Sequence, residues 1–230
     1  MDGPTAVVTG ASRGIGAAVA RRFGAAGAHV VVSAREADPL EAVAEDIRAD
    51  GATATAVRAD VRDEFDVERL MQSAVRVGDR LDTVVANAGV YHGDPGETPL
   101  DEETYAAFDD HFRTNARGVF ATLAEARPHL APGGRALVTS GAVARETRTG
   151  FGSYAVSKTA AEAIARQFAA TLDQPVAVVD PGQVATTLTG GRGRDPTEAA
   201  EQFLWAAREA DPDDIDGAVV DRRAYREATR

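Results

Sequence analysis

Short runs of β-branched and apolar residues alternate with longer alanine-rich stretches along this chain. The short runs predict strands, and the longer stretches, with apolar residues at helical spacing, predict helices. The predicted strands are Ala6–Thr9, His29–Ser33, Thr53–Arg58, Thr83–Ala86, Arg135–Thr139, Val176–Val179 and Ala218–Val220. The predicted helices are Ile15–Ala26, Leu40–Ala49, Glu64–Val77, Asp101–Thr114, Ala116–Leu130, Tyr154–Leu172 and Pro196–Ala210. This alternation is typical of a parallel sheet with helices on both faces.

The predicted elements follow one another without a repeat or a low-complexity linker. A length of 230 residues suits one large α/β domain. We therefore predict a single domain over residues 1–230. Gly190–Arg194 looks like the most flexible internal stretch, and the charged tail from Asp221 is expected to be loosely ordered.

Composition excludes several classes of protein. The chain has no cysteine, and its four histidines lack the spacing of a metal site, so we expect neither disulfides nor a metal centre. A net charge of −11 argues against nucleic-acid binding. No signal peptide is recognisable and no apolar run approaches the roughly 20 residues of a membrane helix, which predicts a soluble, cytoplasmic protein.

The acidic excess is combined with a single lysine among 25 basic residues. This balance resembles that of proteins from halophilic organisms, whose surfaces carry dense carboxylates and few lysine stems. The alternative is an acidic mesophilic protein from an arginine-rich genome. The dependence of stability on salt would separate the two.

A glycine-rich turn, Thr9-Gly10-Ala11-Ser12-Arg13-Gly14-Ile15-Gly16, follows the first predicted strand and opens a helix. Glycines at such a turn let the backbone approach a pyrophosphate, which the helix N-terminus attracts. Glycine-rich loops are common, but the order strand, glycines, helix is the context that nucleotide binding requires. The sequence therefore predicts a nucleotide site here.

The only lysine, Lys158, stands four residues after Tyr154 within a predicted helix. Residues four apart share one face of a helix, so the ammonium group can lie beside the phenol. A nearby cation lowers the pKa of tyrosine from about 10 toward the range useful for proton transfer. In isolation such a pair is more often a surface lysine next to a packed tyrosine, and the rest of the chain decides for the chemical interpretation.

The glycine-rich turn and Tyr154-x-x-x-Lys158 together resemble the short-chain dehydrogenase/reductase family. Further motifs agree with it: Asp60-Val61 after the third strand, Asn87-Ala88-Gly89 after the fourth, Asn115 in a helical region and Pro181-Gly182 after the sixth. The resemblance covers residues 4 to about 187. It implies a Rossmann-like, doubly wound sheet and an oxidoreductase that binds NAD or NADP.

The resemblance also implies roles for individual residues. Tyr154 would donate a proton to a carbonyl oxygen during hydride transfer, Lys158 would hold the nicotinamide ribose, and Asn115 would support a water linked to Lys158. The residues expected to contact the cofactor are Gly10, Ser12, Arg13, Gly14, Ile15, Gly16, Arg35, Asp60, Val61, Asn87, Ala88, Gly89, Tyr154, Lys158, Pro181, Gly182, Val184 and Thr186.

The family's carbonyl-polarising serine commonly lies thirteen residues before the tyrosine, which is Gly141 in this chain. Ser140 lies one residue earlier and is the candidate if the connection to Tyr154 carries one extra residue. A one-residue shift along a strand turns a side chain to the opposite face. The alternatives are a structural Ser140 and a site without its serine.

The end of the second predicted strand bears on the choice of cofactor, because an acidic residue there accepts hydrogen bonds from the adenosine ribose and repels an extra phosphate. Ala34 occupies that place, and Arg35 follows as a possible phosphate partner. Arg13 offers a second cation, whereas Glu36 opposes this interpretation. We expect NADP in preference to NAD.

The substrate is left open: small ketones, 3-oxoacyl thioesters, sugars and polyols all fit. Val90–Pro99, Ala142–Ser153 and a loop at about 187–196 are expected to wall the pocket, and Arg192 and Arg194 are candidate anion contacts, although solvated charges also explain them. Two other functions remain: a nucleotide-binding regulatory protein with little turnover, and a lyase or epimerase that reuses Tyr154. The resemblance implies a homo-oligomer, dimer or tetramer.

Overall fold

Seven parallel strands form one sheet in the structure, a computed structural model that describes residues 3–230. The strands are β1 Thr5–Thr9, β2 His29–Ala34, β3 Thr53–Arg58, β4 Leu81–Ala86, β5 Leu130–Thr139, β6 Val176–Val179 and β7 Val219–Val220. Their order across the sheet is β3-β2-β1-β4-β5-β6-β7, and every neighbouring pair is parallel. This is the predicted doubly wound, Rossmann-like architecture.

Helices cover both faces of the sheet. They are α1 Gly14–Ala25, α2 Ala37–Ala49, α3 Glu64–Gly78, α4 Tyr105–His111, α5 Gly118–Ala126, α6 Gly152–Ala169, α7 Pro196–Arg208, α8 Pro212–Ile215 and α9 Arg222–Ala228. A π-helical turn, Phe112–Arg117, joins α4 to α5.

The central strands carry apolar residues on both faces because both faces are covered. On one side, Val8 packs in a cluster with Phe23 of α1 and Phe203 of α7. On the other, Val7 packs with Leu70 of α3 and Ala121 of α5. The alternation of adjacent valines between two cores explains why these strands read as continuous apolar runs.

The strand order reverses between β1 and β4. From β1 the chain builds outward to β3 and then returns to place β4 on the other side of β1. Open α/β sheets bind ligands at such a reversal, at the carboxyl ends of the strands. The fold therefore positions the segments after β1 and β4 around one crevice.

The structure corrects the boundaries of the elements before the predicted active-site strand. The helix predicted from Asp101 begins at Tyr105, where the Thr104 side chain accepts a hydrogen bond from the Ala107 amide and caps it. The helix predicted to reach Leu130 ends at Ala126, close to Pro128, whose ring is incompatible with a helix interior. Strand β5 starts at Leu130, which pairs with Leu81 before a register shift.

The C-terminal tail forms a helix rather than the loosely ordered segment expected from its charge. The Asp221 side chain accepts hydrogen bonds from the Arg223 and Ala224 amides and caps α9. Tyr225 on α9 packs edge-on against Trp205 of α7, with ring centroids 5.7 Å apart. A cap and one aromatic contact therefore outweigh the solvation of the charged side chains.

Candidate active site

A cavity of about 690 Å³ opens at the carboxyl ends of the strands. Its walls come from the segments that follow β1 to β6, as the sheet topology requires. The predicted site residues that line it are Gly10, Ser12, Arg13, Gly14, Ile15, Arg35, Asp60, Val61, Asn87, Ala88, Gly89, Ser140, Tyr154, Lys158, Pro181, Gly182, Val184 and Thr186. Gly16 and Asn115 lie behind this lining.

The glycine-rich turn forms a cradle of bare backbone. Gly10 and Gly14 have φ of 65° and 58°, values that favour glycine. A side chain at Gly16 would place its Cβ 2.3 Å from the Gly10 carbonyl oxygen, so close packing of α1 requires glycine there too. No side chain caps α1 at Arg13, which leaves amide groups of the first turn available to an anion. These features fit a pyrophosphate.

Two threonines that were not among the predicted site residues, Thr9 and Thr139, brace this turn. Thr9 Oγ1 accepts hydrogen bonds from the amides of Asn87 and Ala88, at 3.1 and 3.2 Å. Asn87 Nδ2 donates to the carbonyl oxygen of Thr9 at 3.0 Å. Asn87 Oδ1 accepts from Thr139 Oγ1 at 3.2 Å. The ends of β1, β4 and β5 are therefore locked together, an arrangement that no local sequence signal indicates because the partners lie more than 50 positions apart.

Tyr154 is half-buried in an aromatic cluster that borders the cavity. Its ring meets Tyr91 edge-on at 4.8 Å and His111 at 6.0 Å, measured between ring centroids. Burial raises the pKa of the Tyr154 phenol well above its ordinary value, and Tyr91 and the charge of Asp180 add to the increase. The direction is opposite to the one predicted from the spacing of Tyr154 and Lys158.

Lys158 is itself buried. Its Nζ donates to the carbonyl oxygen of Thr139 at 2.9 Å. Burial lowers its pKa to about 8, although the charge of Glu162 opposes the decrease. Since burial disfavours the charged form of both the lysine and the tyrosine, the four-residue spacing alone does not produce a phenolate.

Asn115 lies in the π-helical turn and is fully buried. Its side-chain carbonyl accepts from the Val90 amide at 2.8 Å, while its amide group donates to Val90 O and to Ser157 Oγ, both at 3.0 Å. Ser157 immediately precedes Lys158 on α6. Asn115 therefore connects the loop after β4 to the helix of Tyr154, and π-helical turns are frequent at functional sites.

Ser140 lines the cavity, but its hydroxyl is engaged. Ser140 Oγ donates to Glu162 Oε1 of α6 at 2.7 Å. Gly141, at the expected serine position, also lines the cavity, and a Cβ built there meets no atom within 4 Å. Ser140 as the donor to a carbonyl therefore stays a prediction, which requires its hydroxyl to exchange this hydrogen bond for one to the substrate.

Charged residues surround the part of the cavity expected to hold adenosine. Arg13, Arg35 and Glu36 line it, together with Ala34 at the end of β2. Arg58 Nε donates to the carbonyl oxygen of Arg35 at 3.1 Å and fixes the backbone there. The region therefore offers two cations and one carboxylate to a ligand.

A chain of ion pairs runs from that region toward the opposite side of the cavity. Burial disfavours the charge on Asp60, but its hydrogen bonds with Arg62 prevail and lower the pKa of Asp60. Arg62 also bonds Asp110 at 2.8 Å, and Asp110 Oδ2 bonds His92 Nε2 at 2.8 Å. His92 and Tyr91 line the cavity as predicted, whereas the links through Arg62 and Asp110 were not foreseen.

Of the two arginines in the loop after β6, Arg192 lines the cavity and Arg194 does not. The Arg194 side chain is mostly buried and donates to the carbonyl oxygen of Glu198. Among residues 3–230, no cluster of three or more potential metal ligands occurs. None of the helices in that range is at once long enough and apolar enough to traverse a membrane.

A family model described as short chain dehydrogenase matches residues 4–197 of this chain. The chain belongs to the short-chain dehydrogenase family. Among curated family members, versicolorin reductase 1 of Aspergillus parasiticus is 43% identical over 141 residues, which are 61% of this chain and 52% of that protein. The chain thus spans about half the length of that relative.

Two solved short-chain dehydrogenases share the fold along nearly their full length. One from Burkholderia cenocepacia, in complex with NADP, has a TM-score of 0.85 at 27% identity, with 95% of each chain covered. A 7α-hydroxysteroid dehydrogenase in complex with NADH and 7-oxo glycochenodeoxycholic acid has a TM-score of 0.86 at 26% identity, with 97% of this chain and 94% of that one covered. One of these two structures thus holds NADP and the other NADH.

Proposed function

We propose that the protein is an NADP(H)-dependent oxidoreductase that interconverts a carbonyl compound and a secondary alcohol, with Tyr154 as the acid and base. The observation that carries the proposal is the placement of Tyr154 and Lys158 in the same cavity as the glycine-rich turn. A coenzyme whose pyrophosphate lies on that turn can extend toward Tyr154 within a single cavity.

The bound coenzyme supplies or accepts the hydride at the substrate carbon. Tyr154 supplies the proton to the carbonyl oxygen in reduction and takes it back in oxidation. The Tyr154 phenol is protonated at neutral pH and therefore has a proton to donate in reduction. Lys158, buried one turn away on α6, is the group that can replace the lost proton or bind the ribose.

Asn115 enters the proposal as a residue that positions the helix of Tyr154 and Lys158 through Ser157. Ser140 serves the carbonyl only after its hydroxyl leaves Glu162, and Gly141 places no hydroxyl in the cavity. We therefore assign most of the binding of the carbonyl oxygen to Tyr154.

The preference for NADP over NAD rests on Arg13 and Arg35 at the adenosine end of the cavity and on the absence of an acidic side chain at Ala34. A guanidinium group can bind a phosphate through two parallel hydrogen bonds. The Burkholderia relative was solved with NADP, and the hydroxysteroid dehydrogenase with NADH. The comparison with relatives therefore does not decide between NADP and NAD, and the proposed preference depends on Arg13, Arg35 and Ala34.

A homo-oligomer is the proposed assembly. Large apolar side chains are exposed on α6 and on two helices that pack against it: Tyr105 and Phe108 on α4, Phe120 on α5 and Val156 on α6. Exposed large apolar side chains on neighbouring helices are compatible with a protein interface. We also propose a cytoplasmic location, where NADPH is available. The net charge of −11 is in keeping with a halophilic source.

The test is oxidation of NADPH and NADH, at low and high salt, with a panel of ketones, aldehydes and 3-oxoacyl thioesters. The wild type should reduce at least one carbonyl compound with NADPH. Tyr154→Phe should still bind NADPH and lose turnover by about a hundredfold or more, the scale of general acid catalysis. Coenzyme binding without turnover on the whole panel would favour the regulatory alternative. Product formation without coenzyme oxidation would favour a lyase or epimerase.

A further inference from the structure

A buried ion cluster lies beneath the catalytic side of the cavity. The guanidinium group of Arg145, in the loop after β5, pairs with Glu162 of α6 and with Asp180 after β6. The two carboxylates are almost fully buried, with 3% and 6% of their side chains exposed, whereas the Arg145 side chain is 35% exposed. One cation therefore holds two carboxylates that have little access to water.

The cluster joins three segments that line the cavity. Glu162 Oε1 accepts from Ser140 Oγ at 2.7 Å, which attaches the end of β5 to α6. Asp180 Oδ1 accepts from the Gly182 amide at 2.9 Å, which fixes the turn that leads to Val184. Glu162 lies two turns after Tyr154 on the same helix, so the cluster also anchors the face of α6 that carries Tyr154 and Lys158.

Without Arg145, both carboxylates would lose their ion-pair partner in a place with little access to water. Removing one partner of a buried ion pair leaves an unpaired buried charge, which is far more costly than removing an exposed pair. None of these three side chains is needed as a proton donor or coenzyme ligand in the proposed reaction. The burial of the two carboxylates at the junction of the three segments points to another role.

We propose that Arg145, Glu162 and Asp180 form a positioning cluster, in which Arg145 holds the floor of the active site together and balances the negative charge of Asp180 near Tyr154. This inference rests on the proposed function only in taking Tyr154 as the reacting residue. Arg145 is thus a positioning residue and not a catalytic one.

The expected effect of the cluster on the pKa of Tyr154 depends on the groups that surround the phenol. Tyr91 faces it from the loop after β4, His111 from α4, Lys158 from its own helix, and Asp180 from the segment after β6. Burial lowers the pKa of His111, so that this imidazole is neutral at neutral pH. After burial and Tyr91, the negative charge of Asp180 further raises the pKa of Tyr154. Arg145 is paired with Asp180 and places a positive charge beside that carboxylate.

The experiment compares Asp180→Asn with Arg145→Met, because the two changes alter the local charge in opposite directions. Asp180→Asn removes a negative charge and should lower the pH at which Tyr154 ionises; Arg145→Met should raise it. We expect shifts on the order of one pH unit, the size typical of a nearby charge. Arg145→Lys keeps the charge and should restore most of the wild-type value.

The primary readout is an ultraviolet titration of tyrosinate, in which each variant is compared with the same variant carrying Tyr154→Phe. This measurement needs no substrate, so it stands even if no carbonyl compound on the panel is reduced. Where turnover is found, the alkaline limb of the pH profile of kcat should move in the same directions. Arg21→Met, which breaks an exposed ion pair with Asp46, is the control. It should leave the tyrosinate titration and the pH profile of kcat unchanged.

Opposite shifts from Asp180→Asn and Arg145→Met support the proposal. Shifts in the same direction, or ionisation of Tyr154 that neither change moves, would overturn it. Should Arg145→Met not fold, Arg145→Met/Asp180→Asn removes one charge of each sign, and the titration of Asp180→Asn alone still decides the sign. Loss of activity in Tyr154→Phe tests the proposed function separately.

Discussion

Lys158 Nζ donates to the backbone carbonyl oxygen of Thr139 at 2.9 Å, across the contact between α6 and the end of β5. The bond satisfies one of the three donors of the ammonium group in a place that water barely reaches. One carbonyl does not offset the loss of hydration, and burial consequently lowers the pKa of Lys158 to about 8.

This pKa makes stability depend on pH in a defined window. The folded chain releases the Lys158 proton near pH 8, while the unfolded chain retains it up to about the ordinary value of 10.5. Between these values the unfolded state binds more protons, so Lys158 contributes more to the free energy of unfolding as pH rises. Urea unfolding across this window measures the free energy of unfolding of the wild type and of Lys158→Met. We expect the wild type to gain stability relative to the variant as pH rises. A difference that stays constant, or that moves toward the variant, would contradict the prediction.

The sequence predicted the order and type of the main elements because apolar runs and glycine-rich turns are local signals. The positions of Tyr154, Lys158 and the glycine-rich turn followed from motifs. The orientation of Ser140 did not, since its partner Glu162 lies 22 positions away. The pKa of Tyr154 was predicted in the wrong direction, because the spacing of two residues on a helix says nothing about how far both are buried.

Gly141 offers a test of the carbonyl-binding arrangement. Its φ of −163° is extended backbone that any residue adopts, and the space around a Cβ is open. Gly141→Ser should therefore fold normally and place a hydroxyl in the cavity. We expect kcat to increase about tenfold to a hundredfold, on the scale of one donor to a developing oxyanion.

Ser140→Ala is the matched variant one position earlier. Because Ser140 gives its proton to Glu162, we expect kcat/KM to fall by less than about tenfold, the effect of one hydrogen bond. Steady-state kinetics of Gly141→Ser and Ser140→Ala on the same substrate measures kcat and kcat/KM. If Ser140→Ala abolishes turnover while Gly141→Ser gains nothing, Ser140 is the residue that polarises the carbonyl.

Arg35 should determine the choice of coenzyme. Arg35→Gln is expected to weaken NADPH binding by about 10- to 100-fold and to leave NADH binding unchanged, because hydrogen bonds to a charged group contribute about 1.5–3 kcal/mol. Ala34→Asp should act in the same direction and also improve NADH binding, since a carboxylate there can accept from the ribose. Coenzyme titration of each variant gives both affinities. Equal losses for NADPH and NADH would mean that Arg35 does not contact the extra phosphate.

Phe120 should mark the interface of the proposed oligomer. Its side chain is 52% exposed on α5, where it packs against Phe168 of α6, and burying it against a second copy would remove apolar surface from water. Phe120→Arg should shift the protein toward the monomer in sedimentation or light-scattering measurements. Phe65→Arg is the matched control, because Phe65 is 64% exposed but lies on α3, outside the three helices that carry the apolar surface. If Phe65→Arg dissociates the protein and Phe120→Arg does not, the interface involves α3 instead.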